Sequence, residues 1–540
     1  MKKIVRNKNY LQNLANIGLL ILFVLIITAC SQTETTPANS TQQPTEETTY
    51  WPAAGWSTST PEEQDMDGEK LQQMMDLIDE QGFAYDSVVV VRNGHIVFEQ
   101  YRNGYSQNRR HHLQSATKSF SSMLIGIAIH EGFIDHVNEK LVDMLPEHPI
   151  ANMDARKENV TLEHLLTMSD GLDWHELDYP YSDPRNTLGQ MWVSDDAVQH
   201  VLDQPMVREP GEAWVYNSGT SILLGGILEQ ATDGDVLSFA REYLFDPIGI
   251  GEVYWEKTTG NHYHTDGGLW MTPRDMARFG YLMLNNGTWD GREIVSPEWI
   301  EQSSQAHYLT SSGNGYGYQW WTMEHGIYAA RGHYEQNIYV IPQADMVVVF
   351  TGAVPDDVLH PTDGLTYSYI LAACNDLPED ATRQEYDNYG ITIEYPAGFS
   401  ILESPQPGTT SLDNSSGILQ LRLDSYPFEL IQVMWSEAEP GLDPLVYFDQ
   451  VIESMLQQSG VEYSPGTSWE STMDRHKVIH QYFDFADHGI QLRGVTGVWY
   501  CDETGRVVAF SYATNPEVSD QDLKTRYLEH LDSLACHEVR

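Results

Sequence analysis

Ser115 and Lys118 stand three residues apart in Gln114-Ser115-Ala116-Thr117-Lys118, and the charge-poor run from Thr117 to His130 follows directly. A serine at the start of a helix holds its hydroxyl clear of the helix body, where backbone N–H groups favour developing negative charge. A lysine three residues on lies one turn along the same face. Burial disfavours an ammonium, so the expectation is a lysine whose pKa falls until the neutral amine can take the serine proton. Nucleophilic acyl transfer is the chemistry such a pair can do. A bare Ser-x-x-Lys is common, and the apolar helix that follows gives this one its weight, because burying a lysine needs a reason.

The elements that must hold this pair are legible on both sides of it. A helical pattern begins near Lys70 and runs through Leu71, Met74, Met75 and Ile78. Two β-branched runs around Asn93-Gly94, from Ser87 to Phe98, predict a hairpin. Helices dominate to about residue 300. Strands follow at Asn337 to Ile341 and Met346 to Thr351, with Pro342-Gln343-Ala344-Asp345 between them, and a helix over Leu365 to Ala373 closes the domain. Strands at both ends with helices between predict an α+β fold, an antiparallel sheet flanked by helices with a helical insertion. Charged residues and a proline cluster between Asn375 and Glu385 and mark a boundary, so the first domain is placed at 66–378. A small C-terminal α+β domain is expected over 386–540. Its strands are read near Leu419 to Leu423, Glu429 to Trp435, Val478 to Phe485, Val495 to Cys501 and Val507 to Ala513. Its helices are read near Pro444 to Gln457 and Asp520 to Leu534. It shows no catalytic pattern, and its position alone suggests a part in binding or envelope attachment.

At 540 residues the chain is long enough for two folded units, and 41% hydrophobic residues are enough to build cores. The balance of 30 Lys+Arg against 78 Asp+Glu gives a formal net charge of −48, which repels nucleic acid and excludes it as a partner. Lys2, Lys3, Arg6 and Lys8 precede an apolar run from Ile17 to Ala29 that suits a signal segment and is short for a membrane span. The run ends in Ile27-Thr28-Ala29-Cys30, which resembles a bacterial lipobox. That resemblance implies cleavage before Cys30, a lipid anchor there, and an exported protein held at the bacterial cell envelope. Residues 31–65, rich in Ser, Thr, Gln, Pro and Glu, read as a flexible tether. Of the other cysteines, Cys374 reads as a buried thiol, and Cys501 and Cys536 could form a disulfide in an exported protein. Neither Cys-x-x-Cys nor His-Glu-x-x-His occurs, so no metal is expected.

Three further segments carry a family resemblance. They are Thr161 to Leu172 (TLEHLLTMSDGL), Pro210 to Gly219 (PGEAWVYNSG) leading into Leu223-Leu224-Gly225, and Gly267 to Gly280 (GGLWMTPRDMARFG). With the Ser-x-x-Lys, in this order and spacing, they resemble the β-lactamase-related serine hydrolases with a β-lactamase/transpeptidase-like fold. That superfamily includes class C β-lactamases, D-alanyl-D-alanine peptidases, family VIII-type carboxylesterases and 6-aminohexanoate-dimer hydrolases. The resemblance runs from about residue 66 to 376. It implies Ser115 as nucleophile, Lys118 as its base partner and Tyr216 as a phenolic acid/base that shares the serine proton with the lysine. It also implies an oxyanion hole from the Ser115 N–H and, by position after Ala330-Arg331-Gly332, the His333 N–H. No organic cofactor is implied.

Departures from the family pattern narrow the substrate. Ser218 is the third residue of the Tyr-x-Asn motif, a form resembling the esterase and amide-hydrolase branches. The Lys-Thr-Gly that binds a substrate carboxylate is missing before the late strands; Lys257-Thr258-Thr259-Gly260 is misplaced and one residue too long. Glu335 replaces the second glycine of the Gly-x-x-Gly-Gln pattern, where a side chain is expected either to narrow the site or to alter strand geometry. Trp174, Tyr181, Ser218 and Glu335 are assigned to the substrate cleft. His262-Tyr263-His264 reads as a cleft-rim loop, and Asp275 with Arg278 as a helix cap and pair. The sequence therefore points to cleavage of a small ester or amide. A β-lactamase or peptidase and a catalytically silent envelope receptor stand as alternatives.

Overall fold

The computed structural model describes residues 51–536 apart from 53–54, 311–313, 356–360, 378–382, 397, 406–411, 424–427, 439–445, 447–460, 474, 488–489 and 517. Cys30 and the signal segment lie outside the described residues, as does nearly all of the helix expected over Pro444 to Gln457. The tether is shorter than its composition suggested. Trp51 and Trp56 set their rings 5.7 Å from that of Tyr281, and Ser57 O accepts from Ile96 N at 2.9 Å. Two tryptophans bury too much apolar surface to remain in a solvated linker.

Helix α1 (Gly68–Gln81) is capped by Asp67, which accepts from the Glu69 and Lys70 N–H groups, and it stops at Gly82 in the left-handed region. Strands β1 (Tyr85–Arg92) and β2 (His95–Tyr101) follow, joined through Asn93 and Gly94 with φ of 48° and 78°. Two positive φ values in succession are what a two-residue hairpin turn demands. Helix α2 (Thr117–His130) is buried from Thr117 to Ala128 on every face. The helical insertion includes α3 (Leu162–Leu166) and α4 (Ser218–Thr232), and α5 (Pro273–Leu284) returns to the sheet. The chain then adds β3 (Tyr308–Leu309), β4 (Gly315–Tyr316), β5 (Trp321–Thr322), β6 (Tyr328–Gly332), β7 (Gln336–Ile341) and β8 (Met346–Gly352). Helical turns over Pro361–Ala373 close this part.

The sheet is antiparallel with order β2-β1-β8-β7-β6-β5-β4-β3. Its first and last long strands therefore pair next to the edge strand β2, where Val89 stands opposite Val349. Strand β1 is buried on both faces. Val88 and Val90 join a core with Met74 of α1, while Val89 and Val91 join a larger one with Phe120 of α2 and Phe279 of α5. Phe120 stacks on Phe279 at 3.6 Å, and removing either ring would cost about 3–5 kcal/mol. Gly280 lets α5 lie directly on the sheet, since a Cβ there would stand 2.5 Å from Val347. The α+β architecture expected from sequence is thus the one observed.

A second, separate sheet follows. Strands β9 (Arg383–Asn388) and β10 (Ile391–Pro396) form a hairpin that starts before the expected residue 386. Strands β11 (Ser400–Ser404), β12 (Ser416–Leu423), β13 (Glu429–Glu437), β14 (Val461–Met473), β15 (His476–Asp487), β16 (Ile490–Cys501) and β17 (Arg506–Thr514) build a sheet of order β11-β12-β13-β17-β16-β15-β14. Helix α6 (Asp520–Asp532) buries Leu523, Tyr527 and Leu531. Strand β14 escapes a reading by hydrophobic pattern because it is a polar edge strand with Pro465 at a bulge, where proline is tolerated.

Candidate active site

Ser115 sits in the short turn Gln114–Ala116 that feeds α2. The turn is held open by a left-handed Gln114 (φ 50°), a conformation a non-glycine residue adopts only when its surroundings impose it. Leu113 N donates to Leu269 O at 2.8 Å and Leu269 N to Thr117 Oγ1 at 3.2 Å, so the segment after Gly268 clamps the turn from one side. On another side lies the end of β6. A Cβ at Gly332 would be 2.2 Å from Leu113 O and 3.1 Å from Ala116 N, so only glycine permits this approach.

Lys118 lies one turn into α2 and is 2% exposed. Its Nζ donates to Ser115 Oγ at 3.0 Å and to Asp266 O at 2.7 Å. The Nζ also lies 5.2 Å from the centre of the Tyr216 ring. The structure therefore brings Ser115, Lys118 and Tyr216 together. It corrects one expectation. Burial does pull the lysine down, but Tyr216, Glu176 and Asp266 outweigh it and hold the ammonium above its ordinary value. These neighbours thus favour the charged form of the lysine.

Glu176 had no role in the sequence reading, beyond lying in the acidic and aromatic stretch from Trp174 to Tyr181. It is 3% exposed and accepts from Ser218 N at 2.8 Å, Ser218 Oγ at 2.7 Å and Trp174 Nε1 at 2.9 Å. Burial pushes its carboxyl up, against the pull of Lys118 and these bonds. Two cleft assignments fall with this observation. Ser218 is 1% exposed with its hydroxyl given to Glu176, and Trp174 is 4% exposed with its indole N–H given to the same carboxylate. Both act behind the site as supports. A buried acid that collects three donors has no signature in sequence unless the folded neighbours are known.

Glu335 is also corrected. Its carboxylate accepts from Asn337 Nδ2 at 3.2 Å and from the Thr362 hydroxyl, and the side chain is buried. Its φ is 67°, the left-handed region that favours glycine, and its carboxylate is taken up by Asn337 and Thr362. Tyr181 stays exposed, with its ring 6.2 Å from His333 and 5.5 Å from Trp192. His333 is half-buried in the turn that follows Gly332, next to the nucleophile segment. Aromatic rings gather around Tyr216. Trp321 stacks on Tyr216 at 6.1 Å, and Trp214 and Tyr316 lie 6.0 and 5.2 Å from Trp321.

Behind this site the supports are polar and satisfied. His264 Nδ1 and Asp266 Oδ1 stand 3.2 Å apart. Burial pushes the Asp266 carboxyl up, yet His264 and Lys118 bring it below its ordinary value. His262 pairs with Glu229 at 2.7 Å, so His262 and His264 each stand beside a carboxylate. Asn217 caps α4 and donates to Asp170, whose carboxyl burial pushes up to about 6. Gln319 accepts from Ser221 of α4 on its side chain at 2.6 Å and from Ser119 of α2 on its carbonyl at 2.7 Å. Its Nε2 donates to Leu165 O of α3 at 3.2 Å. The cation of β6, Arg331, is given to Asp363 at 2.7 Å. Asp275 and Arg278 pair at 2.7 Å as expected.

A buried lysine bonded to a serine at the head of a central helix, beneath an antiparallel sheet, defines a class: the β-lactamase-fold serine hydrolases, which act on amides and esters. Residues 68–360 match the Beta-lactamase family, more than half of the sequence, and the chain belongs to that family. It is 26% identical over 310 residues to the 6-aminohexanoate-dimer hydrolase of Paenarthrobacter ureafaciens, covering 53% of this chain and 77% of that protein. A shorter match, 31% identical over 120 residues, is to lovastatin esterase of Penicillium rubens and covers 21% of this chain and 28% of that protein. Among solved structures, that of a family VIII carboxylesterase overlays with a TM-score of 0.43 at 16% identity, covering 53% of this chain and 92% of the other.

Proposed function

We propose that this protein cleaves a small ester or amide through an acyl-enzyme on Ser115. The observation that carries the proposal is the 3.0 Å bond from the Lys118 ammonium to Ser115 Oγ, beside Tyr216. Once the Lys118–Tyr216 pair has lost one proton to solvent, the pair accepts the serine proton in its place as Ser115 Oγ attacks the carbonyl carbon. The Ser115 and His333 N–H groups receive the oxyanion. The pair returns the proton to the leaving alcohol or amine as its bond to carbon breaks. Water then attacks the acyl carbon, gives its proton to the pair, and frees Ser115 and the acid.

An ester or amide without an essential carboxylate suits the cleft better than a β-lactam or D-alanyl peptide, because Arg331 is committed to Asp363 and no Lys-Thr-Gly stands on β6. The likeness to a 6-aminohexanoate-dimer hydrolase and a lovastatin esterase supports the same choice. A lipid on Cys30, anchoring the protein at the envelope, belongs to this reading; metabolic labelling with a palmitate analogue should mark the wild type and miss Cys30→Ala. The hydrolase itself is tested by fluorophosphonate labelling and a panel of p-nitrophenyl esters. One adduct on Ser115, absent in Ser115→Ala, is expected. A folded protein that neither labels nor turns over would be a silent receptor instead.

A further inference from the structure

Three side chains with no part in hydrolysis meet at one corner of the C-terminal sheet. His476 opens β15 and Cys501 closes β16. Ile479 stands opposite Val498 in that strand pair, and the same register carried to the strand ends sets His476 opposite Cys501. Cys536 arrives from the other direction, after α6. Its segment is pinned by Ala535, which exchanges backbone bonds of 2.8 and 2.9 Å with Thr392, and by Arg506 Nη2, which donates to Cys536 O at 2.6 Å. The two cysteines are not joined in a disulfide. One ligand atom from each of the three residues lies within 4.8 Å of the other two, and the residues are 6%, 0% and 3% exposed in chain order.

The size and chemistry of this triangle suit a metal ion. A tetrahedral ion bound at about 2.3 Å to sulfur and about 2.0–2.1 Å to imidazole nitrogen sets its ligands about 3.5–3.8 Å apart. The observed atoms all lie within 4.8 Å of one another, close to that size. Two sulfurs and an imidazole select a thiophilic, borderline-soft cation over magnesium or calcium. Because the donors come from three separate elements, no short spacing motif announces them.

We propose that His476, Cys501 and Cys536 bind one zinc-type divalent cation that staples the C-terminal segment to the sheet. On binding, each thiol gives its proton to solvent, two sulfur–metal bonds and one nitrogen–metal bond form, and a water takes the fourth position. No electron is transferred.

The test uses the full-length chain in detergent, reduced, stripped with a chelator and titrated with cobalt(II). The expected result is one cobalt per chain with a thiolate-to-cobalt charge-transfer band in the near ultraviolet, displaced by zinc. The band should be lost in Cys536→Ser, altered in His476→Ala and unchanged in Cys374→Ser. If Cys536→Ser does not fold, the intensity of the wild-type band, which reports the number of sulfurs, and the His476→Ala spectrum decide. Absence of the band in a natively folded, reduced chain would overturn the proposal. So would a chain isolated lighter by two hydrogens, with Cys501 and Cys536 cross-linked, that takes no cobalt after reduction. Ester turnover measured on the same samples keeps this result independent of the hydrolase reading.

Discussion

Gly332→Ala probes whether β6 supplies half of the oxyanion hole. The added Cβ would stand 2.2 Å from the Leu113 carbonyl oxygen and 3.2 Å from Gln114 Cβ. Weak carbon–oxygen contacts settle at about 3.3 Å or more, so the new methyl is too close by about 1 Å. Its nearest neighbour is backbone, and no side-chain rotation relieves the clash. Either the strand end or the serine turn must retreat by about that distance, parting the Ser115 N–H from the turn that carries His333. A displacement of about 1 Å between catalytic groups costs about 100-fold in rate, or about 2.7 kcal/mol of transition-state stabilisation. The same overpacking should lower stability by about 1–3 kcal/mol, leaving a folded protein to assay. Steady-state kinetics on a p-nitrophenyl ester, with urea unfolding alongside, reads both effects. The loss should fall on kcat, because the oxyanion exists only beyond the ground state. A Gly332→Ala enzyme within about threefold of the parent in kcat would refute the assignment of β6 to the oxyanion hole.

Lys118→Ala should lower ester turnover by about 10²–10⁴-fold and cost about 3–5 kcal/mol in urea unfolding, since Glu176 and Asp266 lose a buried cation; ordinary turnover would remove the lysine from the mechanism. Glu176→Gln removes one of the anions that hold the proton on Lys118. The ascending limb of the kcat/KM–pH profile, which reports proton loss from the Lys118–Tyr216 pair, should therefore move to lower pH, and an unmoved limb would break that electrostatic link. Asp170 prefers its protonated form in the fold, with a value of about 6 against an ordinary 3.8. Its contribution favours folding most below about pH 4 and fades as pH rises through 6. Asp170→Asn should flatten the dependence of the urea midpoint on pH between those values, and an unchanged slope would assign the dependence to other groups.

What the sequence made legible was whatever depends on local pattern. The apolar run after Lys118, the Asn93-Gly94 turn and the alternating late strands announce their elements through side-chain period and turn chemistry, and the observed sheet uses them in that way. The Ser115–Lys118 pair was readable because both residues belong to one helical turn. Glu176, Trp321 and Gln319 were not, since each acquires its role from a neighbour dozens of residues away or more. Ser218, Trp174 and Glu335 show the opposite error. They lie in or beside family motifs, and motif position does not say which way a side chain turns; the Glu335 carboxylate is taken up by Asn337 and Thr362. The lysine was misjudged because burial was weighed without the carboxylates buried with it. The tether was drawn too long because composition averaged away Trp51 and Trp56.

Gln319 has a bearing on how this protein could change its diet. A single residue, through its side-chain amide and its backbone carbonyl, is the keystone at which α2, α3 and α4 cross-brace, so this part of the fold cannot give to suit a bulkier acyl group without breaking several buried bonds together. Adaptability is left to the rim, where Tyr181 and Trp192 stand 42% and 45% exposed and where Trp321 covers Tyr216. Variation at those three rings should re-sort substrates, whereas damage to the keystone should slow every substrate alike.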